Sequence, residues 1–251
     1  MEKGVTIRIG TSGWTYQHWQ GIFYPDKWPK SRWLEYYFRY FDTVELNATF
    51  YRLPKPMTFE NWKSRTPDNF VWSVKSSKFI THIKRLENPA EPLKRLYGAV
   101  AGFGEKLGVI LFQLPPSLVF DERIFRNFCE SLDPRARHAL EVRHPSWVND
   151  QVFGILREFN VALCIADTAG RYPFCEEMTA DFVYIRLHGS QKLYTSQYGE
   201  EELQAWAEKV DLWGKDAFIY FDNDYEGHAV NNAKRLKEIL GIAFSQSVIK
   251  D

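Results

Sequence analysis

Four basic and four acidic side chains recur at alternate positions of short apolar runs, a pattern that could do chemistry. Arg8 in VTIRIG, Lys75 in FVWSVK, Arg143 in ALEVR and Arg186 in FVYIRLHG carry positive charge; Glu45 in TVELN, Glu141 in ALEVR, Asp167 in VALCIAD and Asp222 in AFIYFDN carry negative charge. Guanidinium and ammonium groups hold phosphate, and carboxylates beside them act as general bases or acids. His188 follows Arg186 by two residues, and Gly189 and Ser190 then offer backbone N–H groups suited to an anion. Glu141, Asp167, Asp222 and His188 are therefore the catalytic candidates, while Lys75, Arg143 and Arg186 are candidates to hold substrate.

The elements that carry these residues follow from periodicity. Eight apolar runs read as strands: VTIRIG, TVELN, FVWSVK, LGVILFQL, ALEVR, VALCIAD, FVYIRLHG and AFIYFDN. Most are followed by a segment with apolar residues at three and four spacings behind Ser, Thr or Asp, the mark of a capped amphipathic helix. TAGRYPFCEEMTAD, after the sixth strand, lacks that pattern. Eight alternations over this length predict an α/β fold, a (β/α)8 TIM barrel forming one domain over residues 1–251, with a doubly wound sheet as the alternative.

Successive side chains of a strand point to opposite faces. Glu45 and Asn47 oppose Val44 and Leu46; Ser73 and Lys75 oppose Trp72 and Val74; Glu141 and Arg143 oppose Leu140 and Val142; Arg186 and His188 oppose Ile185 and Leu187. If the aliphatic set packs on the helices, the polar set lines the barrel, mostly at the C-terminal strand ends where barrel enzymes keep their active sites. Gln113, Asp167 and Asp222 close their own strands there. Enclosed charges of both signs must pair with one another, with water or with a ligand.

Loops add further candidates. GTSGWTYQHWQGIFYP offers Trp14 and Tyr16, aromatic rings able to stack on a base or sugar or simply to plug the barrel top. Asn47 and Gln113 are polar contacts at strand ends, and KSSKFITHIKR gathers Lys75, Lys78, His82, Lys84 and Arg85 as an electrostatic guide for phosphate. The DNDYEG segment begins like a calcium loop but has Ala233 at its twelfth position, which argues against calcium. A divalent metal stays open as a cofactor, since His18, His82, His144, His188 and His228 accompany the acidic residues, although no HExxH or His-x-His spacing exists.

The bulk properties bound the rest. Hydrophobic residues make up 45% and charged residues 25%, the balance of a globular protein. No apolar run reaches membrane-span length and the start enters a strand pattern at once, so a cytoplasmic location without a membrane partner is expected. Cys129, Cys164 and Cys175 have no metal-like or disulfide-like spacing. Net charge is zero, yet residues 1–150 hold 22 Lys and Arg against 16 Asp and Glu, a bias that could make one rim attractive to a polyanion.

GTSGWTYQHWQGIFYP, VELNATFYRLP, FVWSVKSSKFITH, LGVILFQLPP, ALEVRHPSW, VALCIAD, YIRLHG and YFDNDYEGHAVNNA, in this order, resemble the YecE-like proteins, the seventy-second family of unknown function. The resemblance spans essentially the whole chain. It implies a TIM barrel and no established reaction. Three functions remain in view: an enzyme acting on a phosphate-bearing small molecule, nucleotide or nucleic acid, with metal-assisted hydrolysis among its chemistries; a sugar-isomerase-like enzyme; and a non-catalytic protein binding an anion or nucleic acid. In the enzyme readings Glu141 or Asp167 acts as base and the Trp14 loop covers the site.

Overall fold

A computed structural model describes residues 4–244; residues 1–3 and 245–251 of the expected domain lie outside the described part. All eight expected strands form: β1 (Ile7–Thr11), β2 (Thr43–Leu46), β3 (Val71–Lys75), β4 (Leu107–Gln113), β5 (Arg137–Glu141), β6 (Val161–Asp167), β7 (Phe182–Leu187) and β8 (Asp216–Phe221). They make one parallel sheet in the order β1-β8-β7-β6-β5-β4-β3-β2. The result is a nearly closed (β/α)8 TIM barrel.

The helices are α1 (Trp33–Tyr37), α2 (Ala48–Tyr51), α3 (Pro56–Ser64), α4 (Ala90–Val100), α5 (Glu122–Glu130), α6 (Asp150–Glu158), α7 (Glu200–Trp213) and α8 (His228–Ile239). Side-chain caps fix two starts: Asp121 accepts from Ile124 N–H at 3.0 Å and Asn149 from Val152 N–H at 3.0 Å. Residues 168–181, after β6, contain no helix, as the sequence pattern indicates.

The sheet closes on itself through a seam between β1 and β2. There the ladder shrinks to one bridge, Ser12 with Glu45. The Tyr37 hydroxyl spans the gap below it, accepting from Thr11 N–H at 3.0 Å and donating to the Thr43 carbonyl at 3.1 Å. Gly10 is required here, because a Cβ would lie 2.3 Å from the Thr43 carbonyl oxygen.

Parity sorts the side chains into two apolar sets. Val44, Leu46, Val74, Ile110, Leu140, Leu163, Ile185, Ile219 and their neighbours pack outward with the helices, while Val109, Leu111, Ala139, Cys164, Tyr184, Phe218 and Tyr220 fill the barrel. Of the aromatic segment after β1, Trp14, Trp19 and Tyr24 are buried; Trp14 meets Trp62 and Trp72 edge to face, and Tyr24 stacks on Trp33 at 4.6 Å. For these rings the packing alternative describes what the structure contains.

Candidate active site

Arg186 projects from β7 into the upper barrel with no exposed surface. Its guanidinium donates to Glu45 of β2 (Nη2 to Oε1, 2.8 Å), to Glu141 of β5 (Nη1 to Oε2, 2.6 Å) and to Asp222 just beyond β8 (Nη2 to Oδ2, 3.1 Å). Burial alone would expel its proton, but these three carboxylates hold its pKa well above the ordinary value. Glu45 is further tied by the Ser12 hydroxyl at 2.8 Å and the Tyr184 hydroxyl at 2.6 Å. Glu141 takes Gln113 Nε2 at 2.8 Å and Arg143 Nε at 2.9 Å.

Those ties decide the protonation of the floor. Burial pushes the Glu141 carboxyl up, yet Arg143 and Arg186, with His188 and Lys75, reverse this and hold it well below the carboxylate range. Asp222 is likewise lowered, burial being outweighed by Arg186 and by the contact of Oδ2 with His188 Nδ1 at 2.8 Å. Arg186 Nη1 lies 3.2 Å from His188 Nε2, which must accept, so the ring proton sits on Nδ1 and faces Asp222. Glu141 is a saturated anion, a poor general base.

Lys75 has the opposite situation. It ends β3 at the mouth, and among the described residues no carboxylate comes within ion-pair reach of its amine, which lies 4.5 Å over the Phe50 ring. Burial and then the Arg186 charge depress its pKa to about 8, against the pull of Glu141, Asp222 and Glu45. His82 meets the same Phe50 ring at 5.0 Å, its own pKa lowered by burial and by Lys75, Arg143, Lys78 and Arg85. Arg143 spends Nε on Glu141 and lays its guanidinium 4.5 Å over Tyr172. The β3 to β5 side of the mouth is thus cationic, whereas on the β8 side Asp224 is raised by burial and by Asp222.

Aromatic rings from helix α2 and three loops stand over this floor. Phe50 covers Lys75, Tyr172 covers Arg143, Tyr194 meets His188 edge to face at 5.5 Å, and the Tyr16 hydroxyl donates to the Ser12 carbonyl at 2.5 Å. Around them lie buried polar atoms without a partner: Asn47 Oδ1, Ser76 Oγ, Ser190 Oγ, Thr195 Oγ1 and Asn223 Oδ1. Each follows the C-terminal end of a strand, and each represents hydrogen-bonding capacity that a polar ligand could use. A cavity of about 360 Å³ is walled by Tyr16 and Asn47 on one side and by Trp14, Leu34, Leu46 and Trp62 of the outward layer on the other.

The structure therefore brings Lys75, Gln113, Glu141, Arg143, Arg186, His188 and Asp222 together, with Tyr16 and Asn47 at the edge. Asp167 stands apart. On β6 the inward positions are Ala162, Cys164 and Ala166, so Asp167 has the outward parity. Its Oδ2 accepts from the Tyr198 hydroxyl at 2.9 Å, and that hydroxyl in turn accepts from Gly189 N–H at 3.0 Å. It fastens the base of the β7 to α7 loop. Arg8 has the expected inward parity but sits at the other end of the barrel, paired with Asp42 at 2.7 Å.

No periodic signal marks Ser76, Tyr172, Tyr194 and Asn223, which belong to loops or turn positions, or Phe50, which lies on the one-turn helix α2. The parity of Glu45 places it inside the barrel, and the structure adds it to the site as an anchor of Arg186. Among the described residues no group of three or more His, Cys, Asp and Glu side chains is placed to hold a metal ion. The point where Glu45, Glu141 and Asp222 converge is filled by the Arg186 guanidinium, so the donors a divalent cation would need are already spent on an organic one.

Residues 8–250 match the family model described as "Protein of unknown function DUF72". The chain is 26% identical over 274 residues to the UPF0759 protein YunF of Bacillus subtilis, covering 95% of this chain and 96% of that one. It is 28% identical to the UPF0759 protein YecE of Escherichia coli over 142 residues, 56% of this chain and 50% of that one. A crystal structure of a DUF72 family protein from Thermotoga maritima superposes with a TM-score of 0.85 at 28% identity, covering 94% of this chain and 99% of that one. A DUF72 family protein from Enterococcus faecalis, at 19% identity and a TM-score of 0.82, shares the fold.

Proposed function

This chain belongs to the DUF72 family, and from that premise we propose that its barrel mouth is the active site of a cytoplasmic enzyme for a phosphate-bearing small molecule or nucleotide. Arg143 holds the anion within the positive field of Lys75, Lys78 and Arg85, and Lys75 exchanges the proton. Glu45, Glu141 and Asp222 keep Arg186 fixed as a positive floor. The observation that carries this reading is the uneven sharing of charge: Arg186 has three carboxylates, and Lys75 has none among the described residues. A lysine with a pKa of about 8 can take and return a proton near neutrality. That chemistry suits isomerisation next to a carbonyl better than metal-assisted hydrolysis, for which the donors are committed.

The basic excess of residues 1–150 supports a local anion site better than a nucleic-acid face, because Arg8 and Arg137 lie at the far end of the barrel from Lys75 and Arg143. A non-catalytic anion-binding protein is the second reading, favoured by the saturation of Glu141 and Glu45; it requires saturable binding with no turnover. Calorimetric titration with inorganic phosphate and ribose 5-phosphate tests the anion site. Arg143→Ala is expected to weaken binding about tenfold or more, equivalent to at least ~1.4 kcal/mol. Unchanged affinity in that variant would sink the proposal.

A further inference from the structure

We propose that Lys75 is a covalent nucleophile, its amine forming an imine with an aldehyde or ketone of a substrate that also carries a phosphate. This rests on the phosphate reading above and adds to it the identity of the reacting group. Lysine forms imines only as the neutral amine, and the protein must both suppress its charge and keep it from a carboxylate that would restore it. Both conditions hold here. Lys75 is mostly buried, the Arg186 charge opposes its protonation, and among the described residues its amine has no ion-pair partner, lying instead 4.5 Å over the Phe50 ring. The carboxylates that could have paired with it, Glu141 and Asp222, face Arg186 instead.

The step balances without a further reagent. The Lys75 nitrogen lone pair forms a bond to the carbonyl carbon, and the carbonyl oxygen takes up a proton to give a carbinolamine. The C–O bond then breaks, water leaves with the two amine protons, and a C=N bond remains. Protonated, that imine withdraws electrons from the neighbouring carbon, so a C–H or C–C bond there can break, and hydrolysis releases product and regenerates the amine. The ring faces of Phe50 and Tyr172 lie over Lys75 and Arg143, and the hydroxyl of Ser76, the residue after Lys75, is buried without a partner.

The experiment is borohydride trapping on the full chain with pyridoxal 5′-phosphate, an aldehyde bearing a phosphate, and with pyridoxal, which lacks it. Intact mass and peptide mapping should show one adduct, the probe less one oxygen atom after reduction, on Lys75. At pH 8 it should exceed labelling of Lys78 or Lys84 by about tenfold or more. Lys75→Met and Lys75→Arg, checked by thermal melting, should both lose that adduct. Labelling of Lys75 no faster than the exposed lysines, or an equal adduct in folded Lys75→Met, overturns the proposal. Equal labelling of Lys75 by both probes would uphold the imine and remove the phosphate reading. Phosphate-dependent binding lost in Arg143→Ala, without trapping, would leave that reading and overturn the imine.

Discussion

At the N-terminal end of the barrel cations meet carboxylates largely one to one: Arg8 with Asp42, Arg137 with Asp216, Arg135 with Asp133. At the C-terminal end Arg186 is divided among three carboxylates and Lys75 has none within ion-pair reach among the described residues. The larger cavity, about 770 Å³, lies at the first end, between Arg8, Tyr97, Arg137 and Asp216. None of its lining side chains carries a buried polar atom without a hydrogen-bond partner, and Arg8's partner Asp42 leaves only Oδ1 so, whereas several such atoms follow the strand ends at the mouth. Volume and charge pattern part company here: the roomier end carries charges matched largely in pairs, and the unequal sharing lies at the mouth.

The comparison is broken most sharply by removing one arginine from each end. Arg186→Met leaves three buried carboxylates facing each other, and should lower stability in urea unfolding by about 3–5 kcal/mol. Arg137→Met removes a pair whose side chains are 44% and 32% exposed, and should cost less than about 1 kcal/mol. Equal losses would erase the distinction. Arg186→Ala is accordingly a poor probe of ligand binding, since it tests the fold first.

Acid separates the ends next. A carboxyl held below its unfolded pKa adds stability that is present above ~4 and lost as pH falls through the folded value. Glu141 is held well below that range by Arg143 and Arg186 against its burial, and Asp133 is brought to about 2 by hydrogen bonds from Arg135 at the surface. Glu141→Gln should cost about 2–4 kcal/mol at pH 7 and progressively less below pH 4, read from urea midpoints across pH. Asp133→Asn should shift them little, because solvent screens an exposed pair.

Lys75 gives an effect of the opposite sign. Its folded pKa of about 8 lies below the ordinary 10.5, so the fold disfavours the charged amine. The resulting penalty is fully present below pH 8 and relieved as pH rises towards 10.5. Lys75→Met should therefore stabilise the protein at pH 7 by about 1–3 kcal/mol, with the gain shrinking between pH 8 and 10.5. A destabilised variant would mean that Lys75 is an ordinary structural cation.

The fold was legible because parity and period are local. Val44 against Glu45, Val74 against Lys75 and Ile185 against Arg186 each announce a strand and its two faces, and eight such strands leave few topologies. Depth along the barrel was less legible: Arg8 had the right face and the wrong end, since only its place as the second residue of β1 marks it as distant from the mouth. Loop rings such as Tyr194 and Tyr172 were illegible, because nothing local dictates where a loop comes to rest. Trp14 was misleading in the other direction: an aromatic beside glycines suits ligand and core equally, and here it is packed against Trp62 and Trp72.

Asp167 provides the finest test, because the sequence offers it as a base and the structure gives it a fastening role. The inward residues of β6 are alanines and a cysteine, as apolar as its outward ones, so parity gave no warning that its terminal carboxylate points away from the barrel interior. Through Tyr198 it holds Gly189, whose φ of +116° turns the chain into the loop that carries Tyr194. Asp167→Asn keeps an oxygen to accept from Tyr198 and should change stability by less than about 0.5 kcal/mol, whereas Asp167→Ala removes it and should cost about 1 kcal/mol. In hydrogen exchange the alanine variant should speed amides of residues 189–198 and leave β5 and β7 unchanged. Loss of turnover by about a hundredfold in Asp167→Asn, with those amides undisturbed, would instead return it to the role of general base and move the centre of the chemistry from Lys75 to β6.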